Sequence, residues 1–435
     1  MATEDASGQA SAKHFTIRQA AFIGVGAMVG AGIFSLLGAT GEVAGAAVWV
    51  SFLIAGGIAM LQGYSFAKFG AKYPSAGGML EYVGRGFGDG HVLIVTAWLT
   101  FFANAIVTAM VAVSFGSYAS SMFTNESAGW AKVFGALIVV VMTFVNIVGS
   151  TLVARVQGAI VFVVVGILTF FAIVTIANMD PSLLAPAHYP GVKEIVSSVA
   201  LTFFAFLGFG IVTFTAKDLA DPSRQLPRAM YLALGIATVV YVAIALGVFG
   251  TLTVEKVIES GATAIAVAAQ PVLGRAGYWL MSVTALFATA GATNAGLYPA
   301  PGLCEHLAAN GQFPPVLGRR LGGRASVGLL VAAVLILILV VGRDLSAIAS
   351  LGSAVALMIF AFITAAHFRV YRETGAKLWV LVIAFVVIIV VLLTFIFTTL
   401  IHEPASIWTL LGILVVSIGL DLWWSRVRDR RAAAA

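Results

Sequence analysis

The run Ile23-Gly24-Val25-Gly26-Ala27-Met28-Val29-Gly30-Ala31-Gly32-Ile33-Phe34-Ser35 decides the reading of this chain. It lies within the first long apolar run, between Arg18 and Glu42. Its four glycines make a poor helix, because each costs roughly 1 kcal/mol relative to alanine. In hydrocarbon, unpaired backbone groups are expensive, so a weak helix survives there only where protein or a wet cavity covers its freed groups. Gly24 and Gly26 read as close-packing positions, and Gly30 and Gly32 read as a break in the helix. A second interruption, Phe206-Leu207-Gly208-Phe209-Gly210-Ile211-Val212, falls in the sixth apolar run. Two glycine-interrupted spans at corresponding places in two halves of a membrane chain point to a carrier's binding site.

Composition sets the frame around these stretches. The chain has 435 residues, of which 61% are hydrophobic and 10% charged, and its mean hydropathy is +1.05. Soluble globular proteins carry about 25% charged residues. The apolar runs are helix-length and do not alternate, which excludes a β-barrel and predicts an all-α integral membrane protein. The lone cysteine, Cys304, excludes an intrachain disulfide and a cysteine metal cluster. A net charge of +6 with pI near 9.5 would suit a nucleic-acid binder. In a membrane chain the same excess marks cytoplasmic loops, so the expected surroundings are a lipid bilayer and no nucleic acid.

Charged residues punctuate twelve predicted spans: 18–40, 44–68, 91–120, 131–151, 156–178, 195–216, 229–252, 276–301, 325–342, 346–368, 378–400 and 406–424. With the N-terminus inside, nineteen Lys and Arg fall on the cytoplasmic side and five on the other. Both termini are therefore expected in the cytoplasm of a multi-pass protein of the cell membrane. The polar segment 1–16 reads as a cytoplasmic tail and 426–435 as a second one. A repeat of five spans is odd-numbered, so its second copy enters from the opposite side. This predicts a five-plus-five inverted repeat over 17–368 with discontinuous helices 1 and 6, and helices 11 and 12 following over 369–425. Pro227 is expected in the first turn of span seven. Gly311 is expected to cap the extension of span eight before Pro314 and Pro315.

No Asp, Glu, Lys or Arg falls at the centre of a predicted span; Asp421 comes nearest. The usual charged proton and ion relays are therefore missing. A ligand's charges must meet backbone dipoles instead. The half-helix after Gly30, Ala31 and Gly32, which begins at Ile33, would aim its free N–H groups at an anion such as a carboxylate, and Ser35 reads either as a bond to that carboxylate or as a partner for the backbone. Carbonyls around Gly208 and Gly210 would take an ammonium group. A zwitterion satisfies both, which makes a free amino acid the natural ligand. Phe34, Phe206 and Phe209 read either as gates or as ordinary packing. Asn104 reads either as a cavity residue or as a bond between helices. Thr289 and Thr293 would offer oxygens to Na⁺, or would only bond their own helix. No cofactor is implied. The six histidines are scattered over loops and span ends, which argues against an embedded enzyme.

The motifs together resemble the amino acid–polyamine–organocation (APC) superfamily of permeases. Gly26 to Phe34 is similar to its first-span motif. Tyr73-Pro74-Ser75-Ala76-Gly77-Gly78 with Glu81 and Tyr82 resembles the loop after span two. Phe203 to Phe209, then Asp221-Pro222-Ser223-Arg224 and Leu226-Pro227-Arg228-Ala229, resemble span six and its loop. Ala292-Thr293-Asn294-Ala295 and Asn310-Gly311-Gln312-Phe313-Pro314 resemble span eight and its sequel. The resemblance implies alternating access, a substrate carboxylate at the Ala31, Gly32 and Ile33 backbone, and an amine near Phe206 and Gly208. Three departures bear on coupling. Gly210 stands where many members carry Glu. Lys217 and Asp218 replace paired acids. The fifth span lacks the Lys that some members place near the first break. The expectation is a secondary transporter of amino acids, neutral ones favoured, coupled to H⁺ or Na⁺ if at all. An amine, polyamine or other small organic solute carrier of the same fold is the alternative.

Overall fold

The computed structural model describes residues 16–74, 78–124, 126–148, 151–398, 401 and 404–434. The expected tail over 1–15 and the Ser75-Ala76-Gly77 part of the loop motif lie outside the described residues. Among the described residues the regular structure is helical, apart from one small hairpin. Helix α1 (Ile17–Ala31) starts on a capping box: the Thr16 hydroxyl accepts from the Gln19 amide at 3.2 Å and the Gln19 side chain accepts from the Thr16 amide at 2.9 Å. It is followed by α2 (Ile33–Ala44), α3 (Val48–Lys72), the short α4 (Met79–Phe87), α5 (His91–Phe123), α6 (Ala128–Val148) and α7 (Thr151–Ala177). The second half holds α8 (Val192–Phe204), a 3₁₀ segment (Leu207–Asp218), α9 (Pro222–Phe249), α10 (Val254–Ser260), α11 (Ala264–Leu297) and α12 (Pro299–Ala309). Strands β1 (Arg320–Leu321) and β2 (Ala325–Ser326), joined through Gly322 and Gly323, lead into α13 (Val327–Gly342), α14 (Leu345–Thr374), α15 (Leu378–Thr398) and α16 (Pro404–Ala434). Among the described residues, ten helical stretches are long and apolar enough to cross a membrane, and Ile17–Gly30 and Val327–Gly342 are shorter apolar helices.

Several boundaries differ from the sequence-based expectation. Helix α9 starts at Pro222, with Asp221 at its N-cap, so Pro227 sits inside the helix rather than in its first turn. Two prolines compete for one helix start, and the one behind the aspartate takes it. The long third run is one continuous helix of 33 residues, about 50 Å at 1.5 Å per residue. Helix α11 bends at Gly274, where φ is 66° and ψ is −163°. Helix α16 runs on to Ala434, so the segment expected as a terminal tail continues the last helix. Gly311 does cap α12 as expected: φ is 69°, and the amides of Gly311 and Gln312 return to the Ala308 and Leu307 carbonyls at 3.1 and 2.8 Å.

The centre of the bundle is built from α3, α5, α8, α9 and α14, whose facing side chains form one continuous apolar core. Outer helices turn apolar faces outward: Phe144 on α6, Phe162 on α7, Trp379 and Phe397 on α15, and Trp408 and Val415 on α16. Such a surface is stable in hydrocarbon, not in water. Two amide side chains act between helices. The Gln62 amide on α3 donates to the Ala384 carbonyl of α15 at 3.0 Å and accepts from Thr364 of α14 at 2.8 Å. Asn146 on α6 donates to Asn294 on α11 at 2.9 Å. Both links tie a peripheral helix to the centre and leave no polar atom of these amides facing lipid unpaired.

Candidate functional site

The first break is a single residue. Gly32 separates α1 from α2 with φ −100° and ψ −66°. Its amide still bonds the Met28 carbonyl at 3.0 Å, and the ladder resumes with the Leu36 amide on the Gly32 carbonyl at 3.2 Å. Between these two bonds, Ala31 left aside, the amides of Ile33 and Phe34 have no backbone acceptor among the described residues, and the Val29 and Gly30 carbonyls no backbone donor. The Ser35 hydroxyl is buried there without a partner. These are the donors that a half-helix N-terminus offers an anion.

The second break is longer. Helix α8 ends at Phe204, two turn residues follow, and the chain continues for 12 residues as a 3₁₀ helix. The amides of Leu207 and Gly208 and the carbonyl of Phe204 have no backbone partner among the described residues. The open backbone groups thus lie just ahead of the Gly208–Gly210 stretch. Gly208 and Gly210 lie inside the 3₁₀ segment, and the Gly210 carbonyl takes the Thr213 hydroxyl at 2.6 Å. The open carbonyl is that of Phe204, at the end of the preceding helix.

The two breaks touch. A Cβ on Gly32 would lie 2.4 Å from the Ala205 Cβ and 2.7 Å from its Cα. A Cβ on Gly208 would lie 2.5 Å from the Ala27 carbonyl carbon and 2.6 Å from the Met28 amide nitrogen. Only glycine lets these backbones meet. Gly24 and Gly26 meet the side chains of Val212 and Val161, and Gly30 rests on the backbone of α11 at Ala288. The glycines of the first run are therefore all packing positions, and Gly32 is also the break.

Side chains around the breaks hold them in place. The Ser114 hydroxyl of α5 donates to the Phe34 carbonyl at 3.2 Å, and Tyr118, one turn on, meets the Phe34 ring edge-on at 6.1 Å. The Tyr241 hydroxyl of α9 donates to the Ala205 carbonyl at 3.1 Å, and its ring packs on Phe206 at 5.1 Å. Phe209 packs between Phe66 and Phe360 at 5.1 and 5.3 Å. Neither Ser114 nor Tyr241 carries a sequence signal, because each acts from a helix far along the chain.

The remaining expected residues are placed as follows. Asn104 donates to the Gly296 carbonyl of α11 at 2.6 Å, a bond between helices. The Thr289 hydroxyl donates to the Ala285 carbonyl at 2.6 Å and that of Thr293 to the Thr289 carbonyl at 2.8 Å, which leaves only lone pairs for a cation. An apolar hollow of about 20 Å³, room for about one water, lies beside the first break between Gly26, Val29, Gly30, Val161, Val164 and Ala288. The α7 residue nearest Gly26 is thus a valine.

Known proteins share this arrangement of sequence. Residues 15–419 match the model of a family described as amino acid permease. The chain is 30% identical over 398 residues to the inner membrane transport protein YbaT of Escherichia coli, covering 91% of this chain and 93% of that one. It is 26% identical over 328 residues to the Asc-type amino acid transporter 1 of Mus musculus, covering 70% and 60% respectively. It is 28% identical over 275 residues to the methylthioribose transporter of Bacillus subtilis, covering 58% and 59%. A match that runs through both breaks and almost every helix places the chain in the amino acid permease family of membrane transporters.

Proposed function

We propose that this chain is a secondary carrier that moves amino acids across the cytoplasmic membrane by alternating access, with neutral amino acids favoured. One observation carries the reading. The open Ile33 and Phe34 amides and the orphan Ser35 hydroxyl face the same break region as the open Phe204 carbonyl. Neither 19–41 nor 195–216 contains a charged side chain. Dipoles of both signs, with no fixed charge among them, suit a zwitterion. A cationic side chain would want a carboxylate that these stretches lack. Because the two backbones are in contact at Gly32 and Gly208, a ligand enters only when one half moves off the other, and that is what alternating access requires.

The helix count supports the same reading. Taking α1 with α2, and α8 with the 3₁₀ segment, as one span each gives twelve spans with α3, α5–α7, α9, α11 and α13–α16. The broken pairs then open two five-span units, α1–α7 and α8–α14, of opposite direction, with α15 and α16 outside them. The excess of Lys and Arg in the loops on one side supports cytoplasmic termini. A carrier of amines or another small organic solute is the second reading, favoured by the relative named for methylthioribose transport.

Counterflow in proteoliposomes with a panel of labelled amino acids and amines tests the substrate. Saturable exchange of neutral amino acids is expected, and exchange restricted to amines would overturn the assignment. Coupling is tested in the same vesicles. If Thr289 and Thr293 complete a Na⁺ site, uptake needs a Na⁺ gradient and Thr293→Val abolishes that need. Uptake indifferent to Na⁺ in the parent protein would remove the site and leave H⁺ coupling or exchange.

A further inference from the structure

The short helix α4 is not used by the site, yet it reaches the site's second half. Its inner face is apolar and buried through Leu80, Tyr82 and Val83. Tyr82 stacks on Phe69 at 4.7 Å and meets Phe66 edge-on at 5.8 Å; Phe66 in turn contacts Phe209 of the 3₁₀ segment. The Tyr82 hydroxyl meets the Thr213 side chain. Met79 reaches Gly210, where an added Cβ would lie 3.4 Å from its terminal methyl. Gly86 lies against the Ala366 backbone of α14. The helix therefore closes the bundle end that carries Lys68, Lys72, Arg369 and Arg372, directly under the second break.

Its outer face is held differently. Arg85 pairs with Glu81 at 2.9 Å and lies over the Tyr73 ring, 4.9 Å from its centre. Tyr73 ends α3, and its hydroxyl donates to the Glu373 carboxylate of α14 at 2.6 Å. The ring that Arg85 rests on is thus fixed by a charge-assisted bond to a different helix. At both ends of α4 the chain passes through a glycine at positive φ, Gly78 at 56° and Gly88 at 75°, so the helix is set off from α3 and α5 by joints. Around it the frame is stapled: Lys68 donates to the Gly375 carbonyl at 3.1 Å and the Lys377 amide to the Tyr64 hydroxyl at 2.8 Å. Fixed surroundings, jointed ends and a small polar clasp describe a door.

We propose that α4 is the gate for the 3₁₀ half of the site at this end, and that Arg85 on Tyr73, with Tyr73 oriented by Glu373, is its latch. This rests on the carrier reading only for the purpose of the gate. The latch itself is tested without substrate. Thr213→Cys is placed in the otherwise native protein, whose single natural thiol, Cys304, is buried in α12 and reports general loosening. A maleimide reagent is added to the protein in lipid nanodiscs, and both cysteines are followed by peptide mass spectrometry in one sample.

Arg85→Gln should speed labelling at position 213 by about two- to fivefold, the share of an exposed cation–π contact. Tyr73→Phe removes the Tyr73–Glu373 hydrogen bond, and Glu373→Gln removes the charge that strengthens it. Each should speed labelling by about two- to fivefold, and together no more than Tyr73→Phe alone. Cys304 should stay unlabelled throughout. Unchanged rates at 213 would overturn the latch, as would a parallel rise at Cys304 or fully additive effects of Tyr73→Phe and Glu373→Gln. Val83→Cys on the inner face of α4 gives an independent reporter if Thr213→Cys does not fold. Counterflow plays no part in these rates, so loss of the carrier reading leaves the latch result standing, and loss of the latch leaves counterflow untouched.

Discussion

The two interruptions of the bundle differ in how much helix they give up. At Gly32 the α-ladder loses one residue and two amides stay open before it resumes. After Phe204 the chain leaves the α-ladder for 14 residues, two of turn and 12 of 3₁₀ helix. Long 3₁₀ runs are rare because their hydrogen bonds are poorly aligned, and they often mark hinges. The first break keeps its geometry and presents donors at a fixed place. The second is held by its neighbours: Tyr241 on the Ala205 carbonyl, Phe66 and Phe360 on Phe209, and α4 on Gly210 and Thr213. On the carrier reading proposed above, the one-residue break would be the part that recognises and the 3₁₀ segment the part that moves.

The contrast can be broken most directly by filling the contact between the halves. Gly208→Ala puts a methyl into the Ala27–Met28 backbone, which cannot turn aside as a side chain can. It should cost about 1–3 kcal/mol of stability and abolish exchange. Gly210→Ala, in the same segment, meets the end of the Met79 side chain at 3.4 Å and the Phe66 ring at 3.7 Å, both ordinary contacts, and should leave the melting temperature nearly unchanged. Equal losses in the two variants, read by thermal unfolding and counterflow, would mean that the contact is not what holds the breaks together.

A smaller effect sharpens the role of the first break. Ser35→Ala deletes a buried hydroxyl without a partner, so the fold should be unharmed or slightly more stable. If that hydroxyl serves a substrate carboxylate, half-saturation in counterflow should rise about tenfold, the scale of a hydrogen bond to a charged group. A fall in stability with unchanged affinity would make Ser35 a packing residue.

The smallest effect lies at the far end of the second break. Asp221 follows the 3₁₀ segment and caps α9, and the Ser223 hydroxyl at 2.6 Å holds its carboxyl below the ordinary carboxylate range. A depressed acid contributes stability that is present above its unfolded value and is lost as pH falls through its folded value. Melting temperature should therefore drop slightly as the solution is taken below the ordinary carboxylate range. Asp221→Asn should remove that part of the slope and nothing else.

Much of this was legible in the chain because membranes leave few options. Helix-length apolar runs, the glycine pairs at 30–32 and 208–210, and the Gly311 cap each follow from local chemistry. The 3₁₀ form of the second break was not legible: α and 3₁₀ windings use the same residues, and the choice rests on partners from α3, α4, α9 and α14. For that reason the residues point only to the neighbourhood of Gly208–Gly210, and the open carbonyl there is that of Phe204. Pro227 suggested a helix start because Asp221-Pro222 was read as loop. Ser114 and Tyr118 escaped notice because their job is set by a contact with Phe34, eighty residues earlier for Ser114.

The pitch of the second break has a dimensional consequence. Twelve residues of 3₁₀ helix extend about 24 Å, against about 18 Å if wound as α, so rewinding would shorten the segment by about 6 Å. Leu219 and Asp221, which join it to α9, would be drawn toward the bilayer midplane by a distance comparable to one α-helical turn. On the carrier reading proposed above, a change of this size would be supplied within a single segment of backbone, by exchanging hydrogen-bond partners rather than by swinging a whole domain.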